Sequence, residues 1–289
     1  MAAYLSQAAA SAWIDRWDAQ QQGFLPDREE RFTAMIDAVQ ESAGRPDPLV
    51  LDLGCGPGSL ATRLLARIPA ATVVAVDADP LLLALGRSAQ NASSDGAGDA
   101  PGSDAAGSLK FVDLDLREPG WTGALGLGRQ ADAVLSTTAL HWLPPDALAA
   151  MYAEVATVLR PGGLVLNGDH LAEDKAAAPT LARLGRALNE IEQRRRRESC
   201  GRRGGSSGVA QSDQEPDTWD GWWDAVTGDP ALADLVAERR RRSQDCEHHG
   251  SPSGRLSVHV DALRAAGFVE IGTIWQYGED RVLCGVLGA

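Results

Sequence analysis

The sequence predicts an α/β fold: a mostly parallel sheet wound by helices, closed by an antiparallel last strand and carrying a helical insertion. Three observations carry that prediction. Short runs of Val, Leu and Ile alternate with longer stretches of helical periodicity, which calls for parallel strands joined by right-handed crossovers. One such run, Leu49-Val50-Leu51-Asp52-Leu53, breaks directly into Gly54-Cys55-Gly56-Pro57-Gly58 before a helix-like segment. The chain ends in two apolar runs joined by Tyr277-Gly278-Glu279-Asp280, the pattern of a hairpin.

Taken in order, residues 1–48 read as helical. Tyr4, Leu5, Ala9, Ala12, Trp13 and Trp17 recur at three- and four-residue spacings. Pro26-Asp27 can open a second helix with the stripe Phe32, Met35, Ile36 and Val39. The pair makes either a layer on the sheet or a lid that sets Trp13 and Trp17 over a ligand. Strands are expected at 49–53, 72–77, 109–116, 131–136 and 164–170. Helices are expected at 60–68, 80–85 and 145–159, with Arg160-Pro161-Gly162-Gly163 as a turn. Further helices fall at 176–197, 218–226, 229–242 and 258–266, and the hairpin strands at 268–275 and 281–287. Residues 91–108 and 199–216 are rich in Gly and Ser without periodicity and read as flexible insertions. The resulting division is an N-terminal helical lid (1–48), a ligand-binding domain (49–170 and 256–289) and a helical cap (171–255).

Composition narrows the function classes. The formal net charge of −13 works against a duplex-binding surface, which needs clustered Lys and Arg. The four cysteines, Cys55, Cys200, Cys246 and Cys284, lack CxxC spacing, so neither a disulfide framework nor a zinc site is expected. No apolar run approaches the length of a membrane span, and Asp15 and Arg16 interrupt the only leader-like stretch. A cytoplasmic location is the expectation.

The chemistry starts at the glycine loop. Glycines at every second position bring backbone close to a ligand where a Cβ would collide. Ser59 stands where the dinucleotide pattern GxGxxG needs its third glycine. Asp52, inside an apolar strand, would repel a pyrophosphate but suits a cation, since a buried carboxylate needs a partner. Asp77 ends the second strand, where a carboxylate can accept from both ribose hydroxyls.

With these residues the chain resembles the class I S-adenosylmethionine-dependent methyltransferases. The resemblance runs from Val50 to His170 and through the closing hairpin. It rests on Val50–Gly58, on Val76-Asp77, on Phe111 followed by Asp115, on Leu135-Ser136 through His141-Trp142, and on Leu159-Arg160-Pro161-Gly162-Gly163. It implies a Rossmann-like sheet of seven strands and S-adenosyl-L-methionine as cofactor. Gly54, Cys55, Gly56 and Gly58 would pass beneath its methionine part, and Asp52 would meet the amino group. Asp77 would hold the ribose and Ala78 would pack on the adenine. Asp115, with Asp113 as the alternative, would accept from the adenine amino group, beside the Leu116 amide. The Thr137 backbone would meet the amino end. No metal is implied.

Methyl transfer from a sulfonium needs a base only if the nucleophile carries a proton. His141 and His170, at the ends of the fourth and fifth strands, are the candidates; His248 and His249 read as solvated and His259 as helix surface. Trp13, Trp17, Trp142, Trp222 and Trp223 are candidate substrate-binding residues, with anchoring of the cap as the alternative for the cap tryptophans. Arg194–Arg197 and Arg239–Arg242 read as solvated faces unless one faces the cleft, where it would favour an anionic acceptor. Ser136-Thr137-Thr138-Ala139 lacks the Asn/Asp-Pro-Pro-aromatic turn of base methyltransferases. The His-Trp-Leu pattern resembles small-molecule enzymes, loosely those of trans-aconitate methyltransferase type. The expectation is methylation of a small molecule at O, N or S, with O favoured. The alternatives are a cofactor-binding regulator without turnover and a methyltransferase for a protein or carrier-bound substrate.

Overall fold

A computed structural model describes residues 5–25, 27–90, 107–203, 217–243 and 252–289. Two helices, α1 (Gln7–Phe24) and α2 (Arg28–Ala43), precede β1 (Leu49–Leu53). Then come α3 (Ser59–Arg67), β2 (Thr72–Asp77), α4 (Pro80–Gln90), β3 (Ser108–Asp113), the single turn α5 (Trp121–Ala124) and β4 (Ala131–Thr137). A 3-10 turn at Leu140–Trp142 leads to α6 (Pro145–Val158) and β5 (Leu159–His170). The insertion holds α7 (Pro179–Arg203), α8 (Trp219–Gly228) and α9 (Ala233–Ser243), after which α10 (Leu256–Ala265), β6 (Phe268–Tyr277) and β7 (Asp280–Leu287) close the chain.

The strands form one sheet in the order β3-β2-β1-β4-β5-β7-β6. All neighbours are parallel except β7, which runs antiparallel to both β5 and β6. The strand order reverses beside β1, so the cleft above the carboxyl ends of β1 and β4 is where an open α/β sheet takes a ligand.

Alternation along β1 sets the layers. Leu49, Leu51 and Leu53 pack with Leu148, Met151, Tyr152 and Val155 of α6, and with Leu263 of α10. Val50 points the other way, to Phe32, Met35, Ile36 and Val39 of α2 and Leu60 and Leu64 of α3. Both helical stripes recur every three or four residues, the spacing of one face. Asp52 shares the face of Val50, so a charge sits where the pattern asks for an apolar residue. A third cluster joins Trp13 of α1, Leu81, Leu82 and Leu85 of α4, Trp222 and Val226 of α8, and Val236 of α9.

Several boundaries differ from expectation. Strand β3 stops at Asp113, and α4 continues to Gln90 because Gly86 is tolerated within it. The turn at 160–163 is a bulge inside β5: Leu159 pairs with Ala131, and pairing resumes at Leu164 opposite Ala133. Gly162, at φ +70, is the residue that permits the excursion. The expected insertions lie mostly outside the described residues, at 91–106 and 204–216, as do His248 and His249; residues 199–203 belong to α7.

Candidate active site

Strand β1 delivers the chain into a loop of left-handed glycines: Gly54 at φ +66, Gly56 at φ +55 and Gly58 at φ +90. Two of them cannot be anything else. A Cβ on Gly54 would lie 2.2 Å from the Ala139 Cβ, and one on Gly58 would lie 2.7 Å from the Phe111 ring. The loop hangs from β2 through Gly54 N–H and Cys55 N–H, which donate to the Val76 carbonyl at 2.8 and 3.1 Å. Directly opposite, Thr138 holds φ +50, a strained conformation for a β-branched residue, at the point where β4 leaves the sheet.

Asp52 lies beneath this loop at 1% exposure, and neither carboxylate oxygen has a hydrogen-bond partner. Burial, reinforced by nearby Asp77, pushes its carboxyl up to about 7. Asp77 is half-buried at the end of β2 and caps the loop, accepting Gly56 N–H at 2.7 Å and Asp79 N–H at 2.8 Å. Burial raises it to about 6 in spite of those donors. Two acids near one another, one of them without a hydrogen-bond donor, form a site for a cation. Donor-rich groups fit it: an ammonium at Asp52 and hydroxyls at Asp77. Ala78 is exposed beside them. Among the described residues, no group of three or more His, Cys, Asp or Glu could hold a metal ion.

The cap helices meet the far end of this site. Asp79 starts α4 as its N-cap, accepting Leu81 N–H at 2.9 Å and Leu82 N–H at 3.2 Å, with Pro80 at the first helical position. Its other oxygen takes Arg239 Nε at 2.6 Å, and the same guanidinium lies 3.8 Å from the Trp223 ring centroid. Arg242 donates to Asp113 at 2.7 Å. Arg239 and Arg242 therefore grip the ends of β2 and β3, which corrects the solvated-face reading for these two, while Arg240 and Arg241 are exposed as expected. Asp115, just beyond β3, receives the Arg117 guanidinium at 2.6 Å, with Leu116 half-buried next to it.

The expected substrate-facing role of Trp13 and Trp222 is also corrected. Trp222 has no exposed surface; it donates to the Trp13 carbonyl at 3.4 Å and packs edge-on against Trp17 and Trp223. Trp13 donates to Asp229 at 3.3 Å and is 9% exposed. These rings bolt α1 and α8 to α4, leaving no face for a substrate. Trp17 reaches the glycine loop, where its ring would lie 4.0 Å from a Cβ on Gly56.

The opposite end of the cleft is polar. His141, in the turn after β4, donates from Nδ1 to both oxygens of Asp169 at 2.9 and 3.0 Å. Trp142 beside it is 53% exposed, its ring 4.7 Å from the imidazole. Thr137, also at the end of β4, has a buried hydroxyl without a partner. His170 pairs instead with Glu279 at 3.1 Å and Asp280 at 3.3 Å, and contact with Asp280 raises its pKa. His259 is fully buried rather than on a helix surface: Nε2 donates to the Ser253 carbonyl at 2.7 Å and Nδ1 accepts Tyr152 O–H at 2.8 Å. Its helix turns that face to the core because Tyr152 supplies a partner there.

One residue at this end was missed from sequence. Arg31 of α2 is 1% exposed, and both terminal guanidinium nitrogens lack a hydrogen-bond partner. Burial lowers its pKa against the pull of Asp280, Asp169 and Asp27. One turn further along α2, Met35 Sδ would lie 3.0 Å from a Cβ on Gly168 in β5, which fixes the helix over the strand ends. The available signal was a charge inside the apolar stripe Phe32, Met35, Ile36.

Comparison with known proteins agrees with this geometry. A family described as "Methyltransferase domain" matches residues 50–163. Trans-aconitate 2-methyltransferase of Azoarcus sp. (strain BH72) is 31% identical over 149 residues, covering 52% of this chain and 49% of that protein. The enzyme of the same name from Deinococcus radiodurans is 33% identical over 133 residues, covering 44% and 41%. The chain thus spans about half the length, 49% and 41%, of the curated relatives it matches. Among solved structures, an O-methyltransferase family protein from Burkholderia thailandensis shares the fold at TM-score 0.50 and 17% identity, covering 99% of this chain and 64% of that one. Magnesium protoporphyrin IX methyltransferase from Synechocystis PCC 6803, solved with bound SAH, does so at TM-score 0.50 and 16% identity, covering 96% and 95%. Residues 50–163 match a methyltransferase domain, and the sheet has the fold of the methyltransferase structures above. Over part of its length the chain is similar to the trans-aconitate enzymes.

Proposed function

We propose that the chain transfers a methyl group from S-adenosylmethionine to an oxygen of a small anionic molecule in the cytoplasm. The observation that carries the reading is Asp52, a buried carboxylate with no partner beneath three left-handed glycines and beside Asp77. When bound, S-adenosylmethionine supplies an electrophilic methyl group on a sulfonium. The protein's own work is to hold and align: Asp52 takes the ammonium, Asp77 the ribose hydroxyls, Gly54, Cys55, Gly56 and Gly58 leave room beneath, and the Thr137 backbone meets the amino end. Ala78, Leu116 and Asp115 would flank the adenine. An acceptor oxygen must then reach about 3–3.5 Å from the methyl carbon with water excluded.

Two features support an anionic acceptor. Arg31 is a buried cation with unsatisfied donors, a costly arrangement that a carboxylate or similar group would relieve. The curated relatives are named for trans-aconitate, an acid. Trp142, exposed next to His141, would cover the acceptor from the solvent side.

Calorimetry with S-adenosylmethionine and S-adenosylhomocysteine tests the donor site, and absence of binding by both would refute the reading. Turnover with trans-aconitate and a panel of small acids tests the acceptor. Arg31→Met should raise KM for a turned-over acid at least tenfold and leave S-adenosylhomocysteine affinity unchanged, with some loss of stability because Arg31 also helps to hold the buried Asp169 ionised. Unchanged KM would remove Arg31 from the acceptor site.

A further inference from the structure

Asp169 ends β5 with no exposed surface and spends its whole carboxylate on the turn that follows β4 and on its own neighbour. Both oxygens receive His141 Nδ1–H, one receives His141 N–H at 3.3 Å and the other receives His170 N–H at 2.8 Å. Burial alone would raise this carboxyl, but the His141 contact, the His170 amide and nearby Arg31 hold it below the usual range. An ionised carboxylate only accepts, so the proton between the two side chains sits on Nδ1, and in the neutral imidazole the lone pair is then on Nε2. The surrounding titratable groups are Arg31 on α2, Asp280 on β7 and the buried His259 on α10, which is neutral. None of them is hydrogen-bonded to His141 Nε2.

We propose that His141 is the proton acceptor of the reaction, that Asp169 positions it, and that the acceptor therefore presents a hydroxyl rather than a ready-made carboxylate to the methyl donor. The inference rests on the methyl-transfer reading and goes beyond it by specifying the nucleophile. A carboxylate oxygen is already anionic and needs no base, whereas a neutral hydroxyl must lose a proton as it attacks. In the step, the hydroxyl oxygen forms a bond to the methyl carbon while the carbon–sulfur bond breaks and its electron pair goes to sulfur. The hydroxyl proton passes to Nε2, and Asp169 stabilises the imidazolium until solvent takes the proton. An acceptor matched to both ends of the pocket is a hydroxylated anion, its charge at Arg31 and its hydroxyl at His141.

The first readout is the nitrogen-15 spectrum of the ligand-free protein. His141 should show the Nδ1–H tautomer, and Asp169→Asn, whose amide can offer an N–H to Nδ1, should shift it toward Nε2–H. In turnover, Asp169→Asn and His141→Gln should each lower kcat by about a hundredfold or more while S-adenosylhomocysteine binding is unchanged; Asp169→Glu should restore part of the rate. Hydroxy acids should be methylated in preference to matched acids without the hydroxyl. An Nε2–H tautomer in the unmutated protein, full turnover by His141→Gln, or equal rates for acids lacking a hydroxyl would each overturn the proposal. Loss of S-adenosylhomocysteine binding by the unmutated protein would refute the methyl-transfer reading instead.

Discussion

Lowering the pH from about 8 to about 5 should weaken S-adenosylhomocysteine binding by a hundredfold to a thousandfold, since Asp52 and Asp77 must be ionised to hold a cationic, hydroxyl-rich ligand. Burial, with Asp77 nearby, raises Asp52 to about 7, and burial raises Asp77 to about 6. At pH near 5 the first acid is then ionised about one time in a hundred and the second about one in ten. Asp77 keeps part of its surface in water, so screening reduces its share, and Asp52 alone sets the lower bound. The sign for folding is the reverse of the usual acid case. Both carboxyls titrate in the folded chain above their ordinary value of 3.8, so they contribute stability that is fully present below about pH 4 and lost as the pH rises through 6 and 7. The ligand-free melting temperature should carry that loss, and bound ligand should reverse it. Calorimetry across this range, in buffers of different ionisation enthalpy, should find proton release on binding near pH 6.5, about one proton at most. Asp52→Asn should weaken binding at pH 8 and flatten most of the dependence. An affinity that is level from pH 5 to 8 in the unmutated protein would refute the role given to Asp52.

Two further outcomes follow from contacts. Gly54→Ala adds a methyl 2.2 Å from the Ala139 Cβ at φ +66, and should cost about 3 kcal/mol or more. Gly56→Ala meets nothing closer than 3.9 Å and should cost only about 1 kcal/mol of left-handed strain, so equal losses in denaturant midpoints would contradict the packing. Arg239→Ala removes both the Asp79 contact and the stack on Trp223, and should cost about 1–2 kcal/mol locally. Hydrogen exchange should then speed up across α8 and α9; unchanged exchange would show that this pair does not hold the cap.

What was legible in the sequence divides along the range of the forces involved. Every strand of the sheet announced itself, the central ones because buried strands need contiguous apolar residues, and the largely exposed edge strands β3 and β6 because of the breaks on either side. The glycine loop was legible for the same reason: positive φ at Gly54, Gly56 and Gly58 is a local demand. Partners across the fold were not. His259 looked like surface because its helix is amphipathic only when Tyr152, far away in sequence, is counted as a hydrogen-bond partner. Arg31 was hidden because a charge in an apolar stripe is ordinarily read as an edge residue. Asp169 was visible as a residue beside His170, but its side-chain partner, His141, comes from the turn after the neighbouring strand.

The tryptophans illustrate the same limit and change where specificity should be sought. Trp222 and Trp223 suggested an aromatic acceptor pocket, since aromatic density is equally compatible with a pocket and with a core. In the structure their rings converge on Trp13 and Trp17, and Arg239 ties Trp223 to Asp79 at the end of β2. Helices α8 and α9 are therefore fixed to the half of the cleft that holds Asp77 and Ala78, whereas α7 packs on the β6–β7 turn, where Asn189 Oδ1 accepts Glu279 N–H at 3.2 Å. The other half is built from different elements: Arg31 of α2, the turn bearing His141 and Trp142, and Asp169 at the end of β5. On the methyl-transfer reading proposed above, α8 and α9 lie on the donor side, whereas α2 crosses the ends of β4 and β5 through Met35 at Gly168 and carries an unsatisfied cation there. On that reading we propose that acceptor choice belongs to α2 and the β4–α6 turn, and that α8 and α9 enclose the donor.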